Sequence, residues 1–196
     1  MPSDELLPAD ASRRAFLRIT GIGLAGASAV VLSACGSSRP KTKLVAGSDP
    51  LAVRQADIEI LNSVLDLEYT AIAAYTAGIP LLTGHAHAAA AQFLDHELSH
   101  AMKLASTIRG AGGKPNRQPS TYALTNPRDA AQVLDTLSTT ESSLIDGYLT
   151  AIPKLVPGWL RAVAAGILAN EGQHVSVLRL LQAQPPVPSA FVTASE

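Results

Sequence analysis

Glu97 and His100 stand three residues apart in the run from Phe93 to Leu104, and Glu171 and His174 repeat that spacing later in the chain. Residues three apart share one face of a helix. In the first case the face also carries Ala86, Ala90, Phe93, Leu104 and Ile108, an apolar stripe at helical spacing. An acid in such a stripe is costly to bury unless something pairs with it. Two more glutamates interrupt similar stripes: Glu68 among Leu61, Val64, Leu65, Ile72 and Tyr75, and Glu141 among Leu134, Leu137, Leu144, Ile145, Tyr148 and Ile152. A single buried Glu or His is ordinarily a satisfied core residue. Six in a repeated pattern point to a metal site.

The repeat is internal. Glu68 precedes Glu97 by 29 residues and Glu141 precedes Glu171 by 30, so each half reads Glu on one helix and Glu-x-x-His on the next. Counted from the turns at 1.5 Å per residue, the paired glutamates lie at depths that agree within about 5 Å. Four carboxylates in one dry layer cannot all stay charged and unpaired, because each raises the pKa of the others. Protons could neutralise some of them. Alternatively, two divalent metals could take up four charges, with the imidazoles as neutral nitrogen ligands.

The elements that must position these residues are four helices. Asp49-Pro50 reads as a cap followed by proline at the first helical position, and that helix ends near Gly78-Ile79-Pro80. A second runs from about Thr83 to Gly110. Asn126-Pro127 repeats the cap-and-proline signal for a third, which stops near Pro153, and a fourth starts near Pro157 with Leu160, Val163, Ile167, Glu171, His174, Leu178 and Leu181 on one face. The connections are short, long, short. Short links make antiparallel neighbours, and one long crossover is the ferritin-like arrangement of a four-helix bundle. The 196 residues, 47% hydrophobic and 16% charged with a net charge of -1, suit one all-α domain plus extensions. The charge balance gives no reason to expect a nucleic-acid partner.

A Glu from each of two helices with Glu-x-x-His from the other two resembles the constellation of ferritin-like di-iron and di-manganese carboxylate proteins. The resemblance covers about residues 50–182. By that resemblance Glu97 and Glu171 are the bridging carboxylates, Glu68 and His100 complete one metal, and Glu141 and His174 complete the other. The implied cofactor is a pair of metal ions, iron first and manganese second. The single cysteine excludes a rubredoxin-like centre and a disulfide framework, which argues against a rubrerythrin-like peroxidase and leaves a manganese catalase open. Tyr69, Tyr75 and Tyr148 could lie near the site, although aromatics at helical spacing are more often core. His96 reads as surface because it points about 100° from Glu97, and His85 and His87 as solvated, with assistance to metal entry the alternative.

Residues 1–34 read as an address. Arg13 and Arg14 precede an apolar run from Ile19 to Ala34, too short for a membrane span of about 20 residues. The pair resembles a twin-arginine export signal, and Leu32-Ser33-Ala34-Cys35 resembles a bacterial lipobox with Cys35 as the lipidated residue. Residues 35–49 then form a flexible tether, 50–182 the helical domain, and 183–196, with Pro185, Pro186 and Pro188, an unstructured tail. The whole is similar to exported, desiccation-related ferritin-like lipoproteins held at the outer face of the bacterial cell membrane. That similarity implies ferroxidase-like or peroxide-consuming chemistry on dioxygen or peroxide. The competing expectation is a tethered, non-enzymatic module for partner binding or stress protection, with structural metal or none. Lipid anchors on a spherical shell cannot all reach one flat membrane, so a homo-oligomer is compatible with the sequence but a closed cage is not expected.

Overall fold

A computed structural model of the chain describes residues 52–195. Arg13, Arg14, Cys35, the tether and the Asp49-Pro50 cap lie outside the described residues. Four α-helices carry the domain: α1 (Gln55–Gly78), α2 (Gly84–Gly110), α3 (Ala130–Ala151) and α4 (Gly158–Leu181). No strand occurs among the described residues, and no helix among them is long and apolar enough to cross a membrane. α1 packs on α2 and α3, and α4 packs on α3 and α2. The bundle is made of two helical hairpins joined by a crossover.

Both hairpins turn in the same way. α1 runs into a 3-10 turn at Ile79–Leu81 and α3 into one at Ile152–Lys154, each with a proline in its first two positions. Proline has no N–H to donate and clashes with the preceding turn, so the α-helix stops there. α1 and α3 are antiparallel and approach closely at glycines. A Cβ on Gly78 would meet Val133 Cγ1 at 2.7 Å, and one on Gly147 would collide with Leu67 Cδ1.

α3 begins three residues later than the Asn126-Pro127 signal suggests. Asp129 is the true cap: its carboxylate accepts from Gln132 N at 2.9 Å, and the Gln132 side chain accepts from Arg128 N at 3.0 Å. This reciprocal box satisfies two N–H groups at once, which a proline at 127 cannot match. The crossover before it is tied down along one face of α1. Asn62 pairs with both Lys114 O and Asn116 N, and Asn116 Nδ2 donates to Asp66. Tyr69 packs partly buried against the core, and its hydroxyl reaches Asn116 O at 3.4 Å. The tail carries no helix; Val192 lies in contact distance of the Gly172 position on α4.

Apolar residues form two clusters. Ile58, Leu61, Leu65, Leu104, Ile108, Leu155 and Leu160 fill one end of the bundle, and Tyr75, Leu82, Phe93, Val133, Leu137 and Leu178 fill the other. Near the first end Asp57 forms a buried knot. Its carboxylate accepts from the Arg54 backbone and guanidinium and from Val156 N at 2.9 Å, joining the start of α1 to the α3–α4 turn. The Arg54 guanidinium outweighs burial and holds Asp57 down at about 2. Asp57→Asn should therefore lower unfolding free energy by about 1.5–3 kcal/mol at neutral pH. A depressed carboxyl stabilises above its unfolded value and loses that contribution as pH falls. The gap between wild type and variant in denaturant melts should close as pH drops from about 4 through about 2.

Candidate metal centre

Between the two apolar clusters lies one polar layer. Glu68, Glu97, Glu141 and Glu171 are each fully buried, one per helix, and His174 is 1% exposed. His100 is the one member that solvent reaches, at 12% of its side chain. All six residues singled out from the sequence meet in this layer. His100 Nδ1 lies 2.9 Å from Glu171, 3.5 Å from Glu97 and 3.7 Å from Glu68. His174 Nδ1 lies 3.1 Å from Glu97, 3.2 Å from Glu171 and 3.3 Å from Glu141. Two tetrads result: Glu68, Glu97, Glu171 and His100, and Glu97, Glu141, Glu171 and His174. Glu97 and Glu171 belong to both.

Many polar atoms of the layer make no hydrogen bond. Glu68 Oε2, Glu141 Oε2, both oxygens of Glu97 and Glu171, and Nδ1 of both histidines are buried without a hydrogen-bond partner. Orphaned polar atoms of this kind are rare in protein interiors. Each tetrad's ligand atoms lie within 4.8 Å of one another. Ligands on an octahedral ion with bonds of about 2.0–2.1 Å stand about 3 Å apart, close to the spacings here. Three carboxylates and one imidazole per tetrad is a donor set suited to iron or manganese. The residues fit a pair of such ions.

Without metal, protons must balance the layer. Burial pushes Glu68 well above the usual carboxylate range; His100 opposes this, and the charges of Glu171 and Glu97 add to it. Burial likewise carries Glu141 up to about 8 against the pull of His174. Glu97 also feels burial, but its contacts with His100 and His174 win and hold it at about 2; Glu171 is lowered by the same two imidazoles. Burial disfavours charge on the histidines, yet the surrounding carboxylates raise His100 to about 12 and His174 to about 11. These opposed shifts favour Glu68 and Glu141 as the proton-bearing acids and Glu97 and Glu171 as the carboxylates that face the two imidazoles.

Of the tyrosines that the sequence left open near the site, Tyr75 and Tyr148 reach it. Tyr75 on α1 donates to Glu141 on α3, and Tyr148 on α3 donates to Glu68 on α1. Both phenols are raised well above their ordinary value by burial and the neighbouring carboxylates, so they stay neutral donors. They are core aromatics that also hold the carboxylates of Glu141 and Glu68. A signal existed: Glu68 and Tyr75, like Glu141 and Tyr148, are seven residues apart, two turns on one face.

His96 requires a correction. It is half-buried rather than on the surface, and its Nδ1 stands 3.0 Å from His174 Nε2. Phe93 stacks on the ring of His174, with centroids 4.1 Å apart. Ring and partner together keep Nδ1 of His174 turned toward the carboxylates. The counterpart of His96 in the second half is Asn170, and only the crossing of α2 and α4 reveals the difference. Tyr69 is outside the site, and His85 and His87 are exposed on the first turn of α2.

The family sequence model for the ferritin-like domain matches residues 56–184. No curated protein matches the chain significantly. Among solved structures, a conserved hypothetical protein from Mycobacterium tuberculosis aligns over 64% of this chain and 96% of its own, with 15% identity and a TM-score of 0.62. A dodecameric thioferritin, the bacterioferritin-related protein of Bacteroides fragilis, aligns over 67% and 88% with 22% identity and a TM-score of 0.59. A ferritin-like, diiron-carboxylate protein from Bacillus anthracis aligns over 69% and 99%, with 24% identity and a TM-score of 0.57.

Two divalent ions entering the layer should displace the four protons held by Glu68, Glu141, His100 and His174. Titration of metal-free protein with Mn(II) in weakly buffered solution should release about four protons per two ions, with affinity rising from about pH 6 to pH 8. In the same titration His96→Ala should weaken binding by about 10–100-fold.

Proposed function

The chain belongs to the ferritin-like domain family, and on that premise we propose that it is a di-metal carboxylate protein with ferroxidase-like or peroxide-consuming activity. The observation that carries this reading is the set of buried, unpartnered oxygen and nitrogen atoms in the two tetrads. Glu68 and His100 would hold one ion, Glu141 and His174 the other, and Glu97 and Glu171 would bridge them. Iron or manganese held in that way supplies two adjacent one-electron changes, which is what two-electron reduction of peroxide or stepwise reduction of dioxygen requires.

The remaining work falls to the protein. Tyr75 and Tyr148 each fix one oxygen of a terminal glutamate and leave the other free for metal. The apolar clusters on either side keep water from the layer, which strengthens every charge interaction inside it. His100, the partly exposed ligand, marks the side on which small molecules can arrive. In the ferroxidase version of this reading Fe(II) is the substrate as well as the ion bound.

Protein purified without chelator should carry up to two iron or manganese ions per chain by elemental analysis. Metal-free protein given Fe(II) or Mn(II) should consume dioxygen or peroxide, and Glu97→Ala should abolish both binding and turnover. The reading fails if two ions per chain never bind and Glu97→Ala leaves thermal stability unchanged or higher; a non-enzymatic bundle would then be the better description.

The second part of the proposal is location. Arg13 and Arg14 suggest export of an already folded protein by the twin-arginine route, and Cys35 a lipid anchor at the outer face of the cell membrane. Cys35→Ser should move the protein from the membrane fraction to the soluble fraction. Continued retention would overturn the anchor.

A further inference from the structure

The two ends of the bundle differ in charge. One end gathers the start of α1, the end of α2, the α3–α4 turn and the start of α4. Contacts fix this grouping: Arg54 donates to Lys154 O at 3.1 Å, Val156 N donates to Asp57, and Gly113 lies against Ile58 and Ile108. Arg109, Lys114, Lys154 and Arg161 are all exposed there. Among the described residues none of the four forms an ion pair with a carboxylate: Arg161 donates to the Leu155 and Val156 carbonyls, and the acid of the knot, Asp57, is already taken by Arg54. Glu59, one turn into α1, is an exposed acid in the first part of that helix. Beside the cations sit two exposed apolar side chains, Trp159 at 44% and Val156 at 37%.

The chain also enters the described domain at this end, at Arg54. From Cys35 to Arg54 it could extend to about 65 Å at ~3.4 Å per residue, so a lipid on Cys35 would restrain the domain without orienting it. Something else must decide which face meets the bilayer.

We propose that this basic, tryptophan-bearing end docks on an anionic phospholipid surface, with Arg109, Lys114, Lys154 and Arg161 at the headgroups and Trp159 in the interface. Cations near an anionic bilayer are attracted over about a screening length, and tryptophan favours the boundary between headgroup and hydrocarbon. The proposal extends the membrane-tethered reading and relies on it for biological setting. Docking would place the α1–α2 and crossover faces side-on to the bilayer and hold the long axis upright.

Trp159 is the single tryptophan of the chain, so it reports on this end alone. The test uses full-length protein carrying Cys35→Ser, mixed with phosphatidylcholine vesicles with or without phosphatidylglycerol. Trp159 emission should shift to the blue and the protein should co-sediment only when phosphatidylglycerol is present. Salt at about 1 M, where the screening length is about 3 Å, should reverse both. Arg109→Glu combined with Lys114→Glu and Lys154→Glu should lower partitioning about tenfold or more. No shift of Trp159, equal binding to neutral vesicles, indifference to salt and charge reversal, or binding to soluble heparin without binding to vesicles would each overturn the proposal. Because Cys35 is already removed, failure here leaves the lipid-anchor reading standing, and failure of the anchor leaves this measurement unaffected.

Discussion

Four carboxylates and two imidazoles share one dry layer, and the rest of the bundle answers to that constraint. Isolated charge at such depth would be prohibitively unfavourable. The layer is neutral when Glu68 and Glu141 hold protons and the two histidines are charged against Glu97 and Glu171. It is equally neutral when two divalent ions replace those four protons. The same core can therefore persist with or without metal, and exchange between the two states is a proton-for-metal trade. That equivalence explains how a helical bundle can keep its shape around a cluster that could hold ions.

The architecture serves the layer by near-symmetry. α1 and α3 lie antiparallel and close, with Gly78 and Gly147 allowing the approach, and each sends a tyrosine to the other's glutamate. α2 and α4 each contribute a glutamate and a histidine. The symmetry breaks at one position: His96 braces His174, while Asn170 stands at the matching place. His174 is also the more buried of the two histidines. One half-site is braced by Phe93 and His96, and the other opens to solvent at His100, so two ions would meet unequal surroundings.

Outside the core, the molecule is polarised along its length. The end where the chain enters carries unpaired cations and an exposed tryptophan, whereas Asp66, Asp95 and Asp146 are spread over the flanks. With a net charge of only -1, such sorting produces a local field rather than a global one. On the proposed membrane setting, the Asp57 knot has a second use: it braces the turn that presents Lys154, Val156 and Trp159.

How much was legible from residues alone follows from the range of the interactions involved. Helix number, order and the long crossover come from apolar periodicity and proline punctuation, which act within a few residues. The six residues of the polar layer were legible because acids interrupt apolar stripes at equal depth in two halves. Tyr75 and Tyr148 were half legible: their seven-residue spacing from a glutamate is local, but their partners lie on another helix. Asp57 gave no sign of its role, since its partners include Val156, 99 residues away. His96 was misread for the same reason. Along α2 it points away from Glu97, and only the antiparallel crossing of α4 brings His174 within 3.0 Å. Sequence by itself determined which side chains must be buried together, because burial is written in periodicity. Tertiary structure decided which atoms face one another, because contacts between helices depend on crossing geometry that no single helix records.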